Sequence, residues 1–331
     1  MSNPLVMKKY ASTALPKGKT DKLDSMKIAN YGIDNWFRLS KYQPLDETYE
    51  KLRLLGRQYA HYITIKIESK LALDNLLDRT MQGIKHLLQG TRSDEPTKDK
   101  LSDFVAAYWH FDNIRNMSES DFMEDYCQWA NEKGYHRSQT KAKAIHQMAC
   151  DSIPTLSSSA PSTKILLLEA VRILHETNRT LQVILTQMQA IATSLPEYSV
   201  VSAMPCVGDV LAPRLIAEIG DIRRFHSGSA LVAYAGIDAP PFQSGTFTGT
   251  KRKISKRGSA LLRKTGYEIM KCIKSSKPSY DTAVYEYMLK KEVEGKPKKV
   301  AKIAALNKFL RIYYARVIEI YCDKDRLCMR K

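Results

Sequence analysis

Leu167-Leu168-Glu169-Ala170-Val171-Arg172-Ile173-Leu174-His175-Glu176-Thr177-Asn178-Arg179-Thr180-Leu181-Gln182-Val183-Ile184-Leu185-Thr186-Gln187-Met188 is the stretch on which the fold turns. Leu167, Val171, Leu174, Asn178, Leu181, Leu185 and Met188 follow one another in alternating steps of four and three. That spacing is a heptad seam on a long helix, and a polar Asn178 within it can fix register and partner number at some cost in stability. A partner lies upstream. From Asp46 to Leu88 there is no proline and only two glycines, Gly56 and Gly83, while Leu73, Leu77, Met81, Ile84 and Leu88 make a narrow apolar stripe. One or two long helices are predicted there, with Gly83 weakening the last turns. Together the stripes predict a long coiled-coil arm, paired as an antiparallel hairpin or across subunits.

Between the stripes, residues 90–163 are richer in acids, hold Trp109 and Trp129, and end in the loop-forming run Leu156-Ser157-Ser158-Ser159-Ala160-Pro161-Ser162-Thr163. They read as a small helical insertion at the tip of the arm. Tyr108, Trp109 and Phe111 suit a small core better than a base-stacking platform. His110, His136 and His146 lack the spacing of metal ligands.

The chain has 331 residues and a formal net charge of +17, which suits about two domains and a polyanionic partner. No apolar run approaches the roughly 20 residues of a membrane span, so nucleic acid is favoured over a membrane. Six scattered cysteines without a C-x-x-C pair or a signal peptide predict reduced thiols and a cytoplasmic location.

Downstream of Pro196, Pro205-Cys206-Val207-Gly208 makes a Pro-x-x-Gly turn ahead of Leu211, Leu215 and Ile219, which share one helical face before Gly220. This resembles the second half of a helix-hairpin-helix element, whose amides at Gly208 and the helix start hold a phosphate. Next comes a polar loop with the pair Ser244-Gly245, then Lys251, Arg252, Lys253, Lys256, Arg257, Arg263 and Lys264, with no acid between Asp238 and Glu268. A face built for solubility mixes signs, so this run points to phosphate contact. By itself Ser-Gly is ordinary turn chemistry. A helix from Ser259 to Ile273, with Leu262, Ile269 and Ile273 inward, would anchor the loop, and a last helix from Val300 adds Lys302, Lys308, Arg311 and Arg316.

At the other end, the abrupt opening from Met1 to Tyr10 reads as a chain entered partway through a domain. Thr20 is a candidate N-cap, and Asp21 and Asp24 share the first turn of the helix that follows. Two carboxylates at that spacing could share a Mg²⁺ ion, or could simply complement the helix dipole.

Several of these segments stand in a recognisable order. Tyr234-Ala235-Gly236-Ile237-Asp238-Ala239-Pro240, Gln243-Ser244-Gly245 and Ile254-Ser255-Lys256-Arg257-Gly258-Ser259-Ala260-Leu261-Leu262-Arg263 closely resemble the C-terminal domain of IS110-type transposases. The Pro205 to Asp221 hairpin and Gly295-Lys296-Pro297-Lys298-Lys299-Val300-Ala301 also stand where that family has them. Asn3-Pro4, Lys19-Thr20-Asp21-Lys22-Leu23-Asp24 and Tyr42-Gln43-Pro44 look like the close of the family's RuvC-like nuclease domain.

The resemblance implies a DNA recombinase with a composite active site: a RuvC-like domain that binds Mg²⁺ through an Asp, a Glu and a closing Asp-x-x-Asp, and a C-terminal serine that attacks the phosphodiester. Asp21 and Asp24 match the Asp-x-x-Asp, and Ser244 matches the nucleophile. It also implies DNA and an element-encoded guide RNA as partners and a homo-oligomer, dimer or tetramer. The family's first Asp and its Glu have no counterpart before Asp21. Competence as an enzyme therefore depends on those ligands, and the chain reads as a shortened active enzyme or as an inactive copy that still binds DNA or RNA as an oligomer.

The architecture expected is mainly α. Residues 1–45 would be the remnant of an α/β RuvC-like domain, residues 46–195 the arm with its insertion at 90–163, and residues 196–331 a helical C-terminal domain with the hairpin and the Ser-Gly loop.

Overall fold

The computed structural model describes residues 4–12, 20–39, 46–88, 99–239, 243–244, 247–248 and 253–328. The chain divides into two compact units, residues 1–46 and residues 47–331.

In the first unit, α1 (Pro4–Ser12) and α2 (Asp21–Asn35) pack together. The Tyr10 hydroxyl donates to Asp34, and the Tyr10 and Tyr31 rings meet edge to face. No residue of α2 is buried, and no strand occurs among the described residues of this unit. The sheet expected of an α/β remnant is thus not among the described residues here.

The second unit is built on two long helices, α3 (Glu47–Thr80) and, after the insertion, α9 (Pro161–Thr193). Every residue of the heptad from Leu167 to Met188 is buried. Leu73 and Leu77 share a core with Leu167, Val171 and Leu174, whereas Leu52 and Tyr59 share another with Leu181, Leu185 and Met188. The pairing order is reversed, so the helices form an antiparallel hairpin within one chain. Residues 81–83 interrupt the helix that carries the first stripe, where Gly83 takes φ +80° and the chain restarts as the short α4 (Ile84–Leu88). A left-handed residue cannot continue a helix, yet Met81, Ile84 and Leu88 stay buried across the break.

Asn178 sits in the seam between these two cores, with its Oδ1 buried and lacking a hydrogen-bond partner. An unsatisfied amide costs ~1–3 kcal/mol. Replacing it by leucine is therefore expected to raise stability by about 1 kcal/mol or more, visible as a higher urea midpoint at unchanged slope. An unchanged or lower midpoint would show that the amide is satisfied in solution.

At the tip, α5 (Lys100–Tyr108), α6 (Phe111–Arg115), α7 (Glu119–Glu132) and α8 (Gln139–Asp151) close around Phe104, Tyr108, Phe122, Tyr126 and Trp129. Tyr108 and Phe111 are part of this core, so they are not available for stacking on bases. His110 caps α6 by accepting from the Asp112 amide.

The base of the arm leads into α10 (Tyr198–Ser202), α11 (Gly208–Ile219) and α12 (Gly228–Ala235), then a two-stranded ladder, β1 (Gln243–Ser244) and β2 (Phe247–Thr248). The last helices are α13 (Ala260–Ser276), α14 (Ala283–Val293) and α15 (Lys298–Cys328). Leu262, Ile269 and Ile273 of α13 face the common core, with Leu215, Ile216 and Ile219 of α11 and Leu306, Phe309 and Leu310 of α15. Buried Glu197 ties this domain to the arm by accepting hydrogen bonds from the Tyr49 and Tyr321 hydroxyls, each at 2.7 Å. Burial is the main cause that pushes both phenols above their ordinary range, so both remain donors to the carboxylate.

Candidate nucleic-acid interface

The turn that ends α12 and the segment that starts α13 are locked to each other through the backbone. The Ser255 amide donates to the Asp238 carbonyl at 2.8 Å, Lys256 to Gly236 at 2.9 Å, and Ser259 to Tyr234 at 2.7 Å. The Ser255 hydroxyl adds a bond to the Asp238 carboxylate. This close approach explains the glycines. A Cβ on Gly258 would lie 1.9 Å from the Tyr234 carbonyl oxygen, and one on Gly236, at φ +66°, would lie 2.7 Å from the Gly258 amide nitrogen.

Side chains extend the clamp into the domain. Ser259 caps α13 by accepting from the Leu262 amide at 3.1 Å, and its hydroxyl donates at 2.7 Å to Glu218 of α11, which is only 5% exposed. Arg263 Nη1 donates to the Ala235 carbonyl at 2.9 Å. That cation braces the turn, unlike Lys253, Lys256, Arg257 and Lys264, which are exposed. Lys256 itself takes φ +54°.

Asp238 and Ser255 therefore meet at one point, on either side of Ser244 in the sequence. Between them the backbone of Ser244 pairs with Phe247 in the antiparallel ladder, a feature the reading of this stretch as a plain loop missed. Lys251, Arg252 and Gly245 lie outside the described residues.

Gly208 opens α11 at φ +52°, just after Cys206 at φ +61°, so the expected tight turn leads into the expected helix. The other end of α11 carries Glu218, so this one helix links the turn at Gly208 to the clamp. Two arginines of α3 also reach this region. Arg53 Nη2 donates to the Tyr234 hydroxyl at 3.3 Å, and Arg57 Nε lies 3.8 Å from Glu218 Oε1. Their i, i+4 spacing marks a shared helix face, but a solvated face of a long helix looks the same in sequence.

Asp21 and Asp24 belong to the other unit. Thr20 caps α2 by accepting from the Leu23 amide at 3.3 Å, and Asp24 lies 3.6 Å from Lys27 Nζ. Among the described residues no group of three or more His, Cys, Asp or Glu could hold a metal ion. Asp21 and Asp24 offer two carboxylates in the first turn of α2, fewer oxygens than a Mg²⁺ shell takes, and there they also complement the helix dipole. No helix among the described residues is long and apolar enough to cross a membrane.

Comparison with known proteins agrees with this layout. Residues 198–286 match the model of the Transposase IS116/IS110/IS902 family, a span that includes both halves of the clamp. Residues 1–82 match a second model, described as a transposase, of the DEDD type. Such transposases are typically metal-dependent and act on DNA. The pilin gene-inverting proteins of Moraxella bovis and Moraxella lacunata are each 25% identical to the chain over 313 residues, covering 95% of it and 70% of their own length. With both family models matched in order, the chain belongs to the IS110-type family of transposases, the recombinases of mobile elements.

Proposed function

We propose that the chain cleaves and rejoins DNA strands through Ser244 as nucleophile, with the exposed cations Lys253, Lys256 and Arg257 on the flanking phosphates. What supports this most is the clamp: it fixes the backbone at Asp238 and Ser255, on either side of Ser244 in the sequence, and carries the exposed Lys256 and Arg257. A serine hydroxyl is a weak nucleophile at neutral pH, so its proton must pass to a base, and a bound metal ion would help by making the hydroxyl more acidic. The Oγ–P bond forms as the bond to the leaving sugar oxygen breaks, and that oxygen is protonated. Fixed cations favour the extra charge on the attacked phosphate.

In this reading Asp21 and Asp24 would hold a Mg²⁺ ion together with further ligands, and the ion would stabilise the charge on the attacked phosphate. Residues 1–45 act as the RuvC-like part, residues 46–195 as a coiled-coil arm that joins copies of the chain, and residues 196–331 as the DNA-handling domain, with Gly208, Lys251 and Arg252 adding phosphate contacts. A guide RNA selects the target, and the reaction takes place in the cytoplasm. The relatives' name, gene inversion, fits the same strand exchange.

Incubation with supercoiled plasmid, with and without Mg²⁺, tests this. Mg²⁺-dependent nicking that is lost in Asp21→Ala is expected. Salt-sensitive binding indifferent to Mg²⁺ and to Asp21→Ala, without nicking, would instead support the second reading, a nucleic-acid-binding oligomer.

A further inference from the structure

The positive surface does not stop at the clamp. Lys264, Tyr267, Lys271 and Lys274 fall at i, i+3, i+7 and i+10 of α13, which places them along one face of a straight helix. The only acid on that helix, Glu268, is paired with Arg214 at 2.9 Å. Lys302 of α15 lies 5.7 Å above the Tyr267 ring and so joins the same face from the neighbouring helix. At the far end, Lys274 pairs with Glu292 of α14, which brings the turn between α14 and α15 beside the end of α13. That turn carries exposed Lys296, and the start of α15 after it carries exposed Lys298 and Lys299.

Stability does not explain these lysines. Lys298 and Lys299 open a long helix with no acid in its first turn, where positive charge opposes the helix dipole. The neighbouring acids Glu292 and Glu294 are already paired with Lys274 and Lys291.

We infer that this track, from Lys264 through Lys271 and Lys302 to Lys298 and Lys299, is a second phosphate-contacting surface for duplex DNA, continuous with the clamp; the inference rests on the nucleic-acid reading proposed above. Lys264 to Lys274 spans about 15 Å by the helix rise, the axial length of about four to five base pairs. A straight array of lysines suits the regular backbone of a duplex. A single-strand site would need open aromatic faces for bases to stack on. Here Tyr267 is covered by Lys302, and Tyr287 has Lys291 and Lys308 within 5.2 and 5.1 Å of its ring. With phosphate contacts only, the track adds affinity and register without sequence preference.

The test is fluorescence anisotropy of the full chain with a labelled DNA duplex of arbitrary sequence across a KCl series. Lys271→Gln/Lys298→Gln/Lys299→Gln should melt at or slightly above the wild-type temperature, because all three residues are exposed and two of them oppose the dipole of α15. It should flatten the slope of log K against log[salt] by about 2.7, since each lost phosphate contact contributes about 0.9. An unchanged slope in this variant, alongside a flatter slope in Lys256→Gln/Arg257→Gln, would overturn the track and leave the clamp reading intact. Absence of salt-dependent duplex binding by wild type would overturn both. A slope lost on single-stranded RNA but kept on duplex would overturn the assignment to duplex DNA.

Discussion

Gly258→Ala is expected to open the clamp. The new methyl carbon would sit 1.9 Å from the Tyr234 carbonyl oxygen, a contact that no rotamer change relieves because the backbone fixes the position of a Cβ and the oxygen is itself backbone. Separating them by the necessary ångström or more breaks the Ser259 to Tyr234 bond and with it the Lys256 to Gly236 and Ser255 to Asp238 bonds beside it. At about 1 kcal/mol for each hydrogen bond, the clamp loses ~3 kcal/mol. Hydrogen exchange at the Ser255, Lys256 and Ser259 amides should then accelerate about 100-fold, since 1.4 kcal/mol is a factor of ten. Amides in the arm, such as those around Leu174, should keep their protection. Unchanged exchange at Ser259 would mean that this approach of the two backbones is not made in solution.

The second large effect is expected at Ser244. Ser244→Ala removes one oxygen from a residue whose backbone lies in a two-residue ladder, so the fold and duplex binding should be unaffected. If Oγ forms the bond to phosphorus, strand cleavage should fall by about three orders of magnitude or more, as when other nucleophilic serines are removed. Because phosphate-contacting cations supply most of the affinity, the dissociation constant for duplex should stay within about twofold. A parallel loss of binding and cleavage would place Ser244 in positioning the loop.

The arm was the most legible part of the chain, for a simple reason. A heptad seam states which residues are inside, and each of Leu167, Val171, Leu174, Asn178, Leu181, Leu185 and Met188 is buried. The seam says nothing of where its partner comes from, so only the structure reveals the antiparallel pairing with α3. Leu73 to Leu88 shows a different limit. The apolar spacing runs through Gly83, but the helix does not, because a bend can keep Met81 and Ile84 inside while the backbone changes hand.

The clamp was legible in part. The pattern around Tyr234 to Asp238 and Ser255 to Ser259 was visible, while its physical reason, two backbones too close for any Cβ, appears only in three dimensions. Arg53, Arg57 and Glu218 could not be singled out, since their partners lie far along the chain or carry no mark beyond ordinary helix polarity. The cations also differ more than their sequence suggests, with Arg263 turned inward to Ala235 and Lys256 exposed. At the N-terminal end, Asp21 and Asp24 share the first turn of a helix as their spacing implied, but the α/β surroundings that the resemblance suggested are not among the described residues.

The central claim, attack on phosphorus by Ser244, is tested most directly by trapping the covalent intermediate. Cleavage of plasmid by the full chain would be stopped with denaturant, the DNA digested to short remnants, and the tryptic peptide from Phe225 to Lys251 analysed by fragmentation mass spectrometry. A nucleotide joined through phosphate to Ser244 is the expected result. Cleaved plasmid with that peptide unmodified, or with the nucleotide on another residue, would contradict it.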